Sequence, residues 1–91
     1  MKNKDVFVVL VSSTQDTEIK PRVAKTEEKA FEIKNEMIDE CLNELGVSRE
    51  ELYTEWVEEG YRIEENEYSF TIHSEDFSFY LSVYIECLEI E

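Results

Sequence analysis

Nucleophiles, bases and metal ligands are scarce in this chain outside its carboxylates. It holds one histidine, His73, and two cysteines, Cys41 and Cys87, against 23 Asp and Glu in 91 residues. His73, Glu75 and Asp76 lie close enough in sequence to meet at a metal. Their spacing fits no zinc pattern and no calcium loop, which needs a run of acids around a central glycine. Ser74, Glu75 and Asp76 read better as a turn. Neither cysteine has a local signature with His73, and no glycine-rich phosphate loop is present. The acids are too crowded to single out a general acid and its base. The expectation is a chain with no catalytic residue, no metal and no cofactor: a binding protein and not an enzyme.

Charge carries more information. Nine Lys and Arg leave a net charge of −14. A protein that grips nucleic acid directly needs cations to neutralise phosphates. The same negative charge opposes an anionic membrane. The acids are also uneven. Residues 1–25 carry five basic groups and three acids, whereas residues 26–91 carry four basic groups and twenty acids. Glu28, Glu32, Glu36, Glu40 and Glu44 recur every four residues, which on a helix gives a stripe with steps of about 6 Å along the axis. Like charges at this spacing cost roughly 0.2–0.5 kcal/mol per pair. Two readings of the stripe stand: a solvated face, or a surface that imitates the charge track of a nucleic acid. One strand of duplex DNA carries a phosphate about every 3.4 Å, so one stripe is about half as dense. Mimicry needs a second track, supplied by Glu50, Glu51, Glu55, Glu58 and Glu59 and by a loop with Glu64, Glu65 and Glu67. The candidate partner-binding residues are therefore Glu28, Glu32, Glu36, Glu40, Glu44, Glu51, Glu55, Glu58 and Glu59. The partner they imply is the basic surface of another protein.

Several elements must position these acids. Residues 6–11 are apolar on both parities and β-branched, which predicts a central strand. Residues 12–17 are turn-like. Residues 19–24 return as a short strand, and Pro21 confines it to a sheet edge. Thr26 then N-caps a helix with Glu27 and Glu28 in its first turn. Phe31, Lys34, Ile38, Cys41, Leu42 and Leu45 make its inner stripe, widened by Ala30 and Met37. Gly46 ends it, with Val47 set to touch Leu42. Ser48 and Glu51 form a capping box for a second helix, with Val47 and Leu52 at the staple positions. Leu52, Tyr53, Trp56 and Val57 give that helix an apolar face, and Gly60 ends it with Tyr61 over Trp56. The sequence Leu45-Gly46-Val47-Ser48 also resembles a DNA-reading helix-turn-helix, but its second helix would present acids to phosphates. Tyr68, Phe70 and Ile72 alternate with polar residues, as do Phe79, Leu81, Val83, Ile85 and Cys87. After Cys87 the phase slips by one, which predicts a bulge or the end of pairing.

The order β-β-α-α-β-β predicts a single α+β domain over residues 1–91. It has two layers: an antiparallel sheet of three to four strands and a helix pair on one face. The other face carries Tyr80, Tyr84 and half of the first strand, and a second copy of the chain is one candidate to cover it. No segment has the length and composition of a signal peptide or a membrane span. This places the chain in the cytoplasm, with both cysteines reduced and buried.

An apolar first strand, a short return through Val23-Ala24-Lys25-Thr26-Glu27-Glu28, an acidic helix pair and two aromatic strands ending in Glu86, Glu89 and Glu91 form a recognisable whole. It resembles the small acidic proteins encoded by phages and mobile elements of low-GC Gram-positive bacteria. Some of those inhibit host defence, anti-CRISPR proteins among them, and some act as DNA mimics. The resemblance implies an acidic inhibitor in the host cytoplasm that blocks the basic channel of a defence nuclease. The alternative is a structural or regulatory interaction module that dimerises through its sheet face.

Overall fold

The computed structural model describes residues 4–14 and 19–90. The expectations for residues 1–3, for the 15–18 part of the first turn and for Glu91 lie outside them. Five strands form one antiparallel sheet: β1 (Lys4–Ser13), β2 (Arg22–Ala24), β3 (Arg62–Glu65), β4 (Ser69–His73) and β5 (Tyr80–Ile90), in the order β2-β1-β5-β4-β3. The fold is α+β and two-layered as expected, but three to four strands becomes five. The added strand is β3. Its sequence Arg-Ile-Glu-Glu holds one apolar residue, Ile63, which pairs with Ile72 and packs against the core. The other three positions are exposed, so an edge strand with one inward side chain looks like an acidic loop in sequence.

β1 is flanked by β2 and β5, and its pairing with β5 is the longest in the sheet, from Lys4↔Ile90 to Ser13↔Leu81. This pairing is continuous through Phe7↔Cys87 and Val6↔Leu88, so the expected bulge near Cys87 is absent among the described residues. A regular strand must send alternate residues to opposite faces. The change in pattern therefore moves apolar residues to the other face, and Leu88 becomes exposed. Cys87, expected to be buried, is exposed as well, while Cys41 is buried as expected. Burial pushes the Cys41 thiol up to about 11, helped by the carboxylates of Glu44 and Glu40.

Helix α1 (Glu27–Leu45) lies on the face formed by Val9, Leu81, Val83, Phe70 and Ile72. It begins where the Thr26 hydroxyl accepts the Lys29 N–H at 3.1 Å. It ends where Gly46 turns left-handed at φ 74°, with the Val47 N–H on Leu42 O and the Gly46 N–H on Asn43 O. Its buried side is Ala30, Ile33, Lys34, Met37, Ile38, Cys41 and Leu42. Phe31 and Leu45, placed in the inner stripe, are only half-buried, and Ile33 takes the fully inward place. The second helix starts as α2 (Arg49–Glu51), capped by the Ser48 hydroxyl on the Glu51 N–H at 3.1 Å. It then widens into a π-helical turn over Leu52–Trp56, closed by Val57 N–H on Leu52 O. Leu52 is buried and Trp56 half-buried, but Tyr53 and Val57 stand about half exposed (48% and 47%), against the expectation of a four-residue inner face. The two residues on that helix that do face inward are four apart. Gly60, at φ 103°, ends the helix, and Tyr61 covers Trp56 with ring centroids 4.7 Å apart.

Candidate protein-binding surface

Helix α1 is held to the sheet by both apolar packing and a buried cation. Lys34 is almost fully covered, and its ammonium donates to the carbonyls of Asn66 (2.8 Å) and Glu67 (3.0 Å). These carbonyls belong to the β3–β4 turn, where the Asn66 carboxamide accepts the N–H groups of Tyr68 and Ser69. Burial lowers the Lys34 pKa, and nearby Glu65 and Glu67 offset part of that. With this side fixed, the opposite side of α1 must face water.

All five members of the glutamate stripe are exposed: Glu28, Glu32, Glu36, Glu40 and Glu44. At 3.6 residues per turn each four-residue step advances about 40°, so the set winds about 160° around the axis. It crosses the outer ridge of α1 diagonally and does not run straight along it. Glu36 takes the Arg22 guanidinium at 3.0 Å, and Glu32 takes the Lys29 ammonium at 3.3 Å. Arg22 comes from edge strand β2, so the basic N-terminal segment touches the acidic helix at that point. The last turn of α1 has no basic residue. Glu44 therefore sits at the negative end of the helix dipole, where a cation would stabilise and an anion costs a few tenths of a kcal/mol or more.

The second helix adds Glu51, Glu55, Glu58 and Glu59, all exposed. Glu51 also accepts the Ser48 hydroxyl at 3.3 Å, so it is partly committed to the cap. The expected loop track is only partly a loop. Glu64 and Glu65 lie in β3, and Glu65 binds Arg49 at 3.4 Å and the Tyr53 hydroxyl at 2.8 Å. Glu67 remains in the turn. Arg49 also reaches Asp39 at 3.4 Å and stacks over Phe70 at 5.7 Å. It neutralises the seam between the two helices and β3.

Two features escaped the sequence reading. Tyr53 and Val57 form an apolar spot among the acids, opened by the extra residue in the π-helical turn. Tyr68 packs edge-on against Phe31 at 5.6 Å and donates to Glu27 at 3.0 Å, a bond that raises the tyrosine's pKa. Glu75 and Asp76 lie in the turn after β4, and His73 is the last residue of that strand. Asp76 accepts the Ser78 N–H at 3.0 Å and the Ser74 hydroxyl at 2.9 Å, which hold its carboxyl below the ordinary range. His73 instead bonds the Ser74 carbonyl at 2.9 Å and stacks flat on Phe77 at 4.2 Å. No cluster of metal-binding side chains occurs among the described residues, and no described helix is long and apolar enough to cross a membrane. Comparison with protein-family models, with curated proteins and with solved structures returned no match.

Proposed function

We propose that this chain is an acidic binding protein whose helical face occupies a basic surface of a protein partner. In its most specific form it mimics a nucleic acid and inhibits a nucleic-acid-binding effector such as a host defence nuclease. One observation carries the reading: the exposed acids occupy positions that work against the helix. Glu40 and Glu44 are like charges at four-residue spacing, and Glu44 lies in the last turn, which has no basic residue. Lysine at alternate positions would stabilise the same helix and keep it soluble. The resemblance to acidic anti-defence proteins of phages points the same way. Tyr53 and Val57 supply apolar contact inside the charged field, as binding surfaces commonly do.

The test is a titration of the chain against a basic partner captured from lysate of the source cell. The comparison is wild type against a triple charge reversal, Glu28→Lys, Glu40→Lys and Glu55→Lys. These positions avoid Glu32 and Glu36, which already hold cations. Binding should weaken steeply with salt, be lost in the triple variant and be competed by duplex DNA. Equal affinity of the two proteins at low and high salt would show that the acids only solvate the chain.

A further inference from the structure

Among the described residues no helix or strand lies on the face of the sheet opposite the helices, and the make-up of this face differs from the rest of the surface. Cross-strand neighbours place Val8 beside Val23, Leu10 beside Tyr84 and Val6 beside Leu88 on this face. Val23 is 64% exposed and Leu88 is 47% exposed. Among the described side chains of β2, β1 and β5 on this face, the one charged residue is Glu86, in a protein whose residues are 35% charged. The acids of both helices lie on the other side of the molecule.

We propose that a second copy of this chain docks here, sheet against sheet about a two-fold axis. This proposal is independent of what the acidic face binds. Charge selects the occupant. A basic partner finds only Glu86 at the centre and, at the β3 edge, Glu64 beside the cation Arg62, and an anionic membrane is repelled by a protein of charge −14. A second copy offers the same nearly neutral face. Stacking the two faces puts both acidic helix layers on the outside, which is the arrangement of two such chains with the least repulsion. Two sheets packed this way sit about 10 Å apart, with their side chains interleaved. β1 and β5 run side by side for about 34 Å, while the three residues of β2 and the five of β4 add about 10 Å and 17 Å of single strand. At about 4.8 Å per strand each copy offers about 450 Å², or about 900 Å² for the pair, the size of a weak, reversible interface. The dimer would present two acidic surfaces facing away from each other, so a partner with two basic sites would gain avidity.

Sedimentation equilibrium at micromolar to sub-millimolar concentration tests this. Wild type should be a dimer, and added salt should strengthen it, because screening weakens the repulsion between two −14 chains. Binding of the acidic face to a basic partner has the opposite salt dependence, so the two proposals fail separately. Leu88→Glu and, independently, Val23→Glu should each weaken dimerisation about tenfold or more while keeping the wild-type circular dichroism. Both positions are already exposed in one chain, so the fold tolerates the change. Val57→Glu, on the helix face, should leave dimerisation unchanged. A wild-type chain that stays monomeric at every concentration and salt level overturns the proposal. So does a dimer that is indifferent to both sheet-face variants, or a monomer that instead captures a different protein or detergent on this face.

Discussion

Among the described residues Lys34 is the one buried Lys, Arg, Asp or Glu. Its stem fills a place in the apolar stripe of α1, and its ammonium ties the β3–β4 turn to the helix. Lys34→Met keeps the stem and removes the donor. The freed carbonyls lie in an exposed turn where water replaces the lysine, so the expected loss is about 1–2 kcal/mol, read from urea midpoints. The pH dependence has a definite sign. Burial holds the folded-state pKa below 10.5, so between that lowered value and 10.5 the unfolded chain binds more protons. Stability therefore rises with pH across that window in wild type relative to Lys34→Met. A difference that shrinks over the same range would mean that the ammonium form is the favoured one. The position of Lys34 was legible, because spacing alone puts it on the inner side of α1. Its partners were not, since they are backbone carbonyls 32 and 33 residues away, and no side-chain pattern marks a carbonyl. Cys87 failed for a related reason. Alternation in β5 gives its side correctly, but α1 does not extend over that end of the ribbon, so being on the helix side does not bury it.

At the scale of elements, the helix ends were the most legible feature. Thr26, Gly46, Ser48 and Gly60 each act where the sequence places them, because caps are local and need only a few residues of context. Ser48 provides the check. Its hydroxyl accepts the Glu51 N–H at the start of a helix whose first α-helical stretch is three residues long. Ser48→Ala should cost about 0.5–2 kcal/mol by chemical denaturation. The loss should exceed that of Thr26→Ala, since α1 has nineteen residues and its packing to hold it, whereas the second helix is short and half exposed. Equal losses would mean that the second helix is fixed by Leu52 and Trp56 and not by its cap. What a local pattern could not reveal was the π-helical turn. Leu52, Tyr53, Trp56 and Val57 fit an ordinary apolar face, and only docking against Tyr61 and Phe79 selects Leu52 and Trp56. The wider turn then leaves Tyr53 and Val57 outside. β3 was hidden by the same kind of non-local cause, since Ile63 becomes a core residue only once Ile72 lies beside it.

On the scale of the whole molecule, the acids gather on the helix side while the centre of the other sheet face carries little charge, and this sorting was half legible. Composition shows the excess of acids, the four-residue spacing shows the stripe and the order of elements leaves one sheet face uncovered, but that Leu88 joins this face emerges only when β1 and β5 are seen to pair without a bulge. The sorting makes a prediction about stability that separates a tolerated charge from a useful one. Glu40 stands between Glu36 and Glu44 at four-residue spacing on both sides. Glu40→Lys removes two repulsive pairs and creates two attractive ones, each worth roughly 0.2–0.5 kcal/mol. The variant should be more stable than wild type by about 1 kcal/mol at low salt, with the gain shrinking as salt screens the surface. Urea midpoints at low and high ionic strength measure it. A gain of this size means that the natural sequence forgoes stability that one substitution would recover, as expected of a surface kept acidic for a partner. A loss would mean that the stripe is already neutralised by its surroundings, and that neither the strain argument nor the function built on it holds.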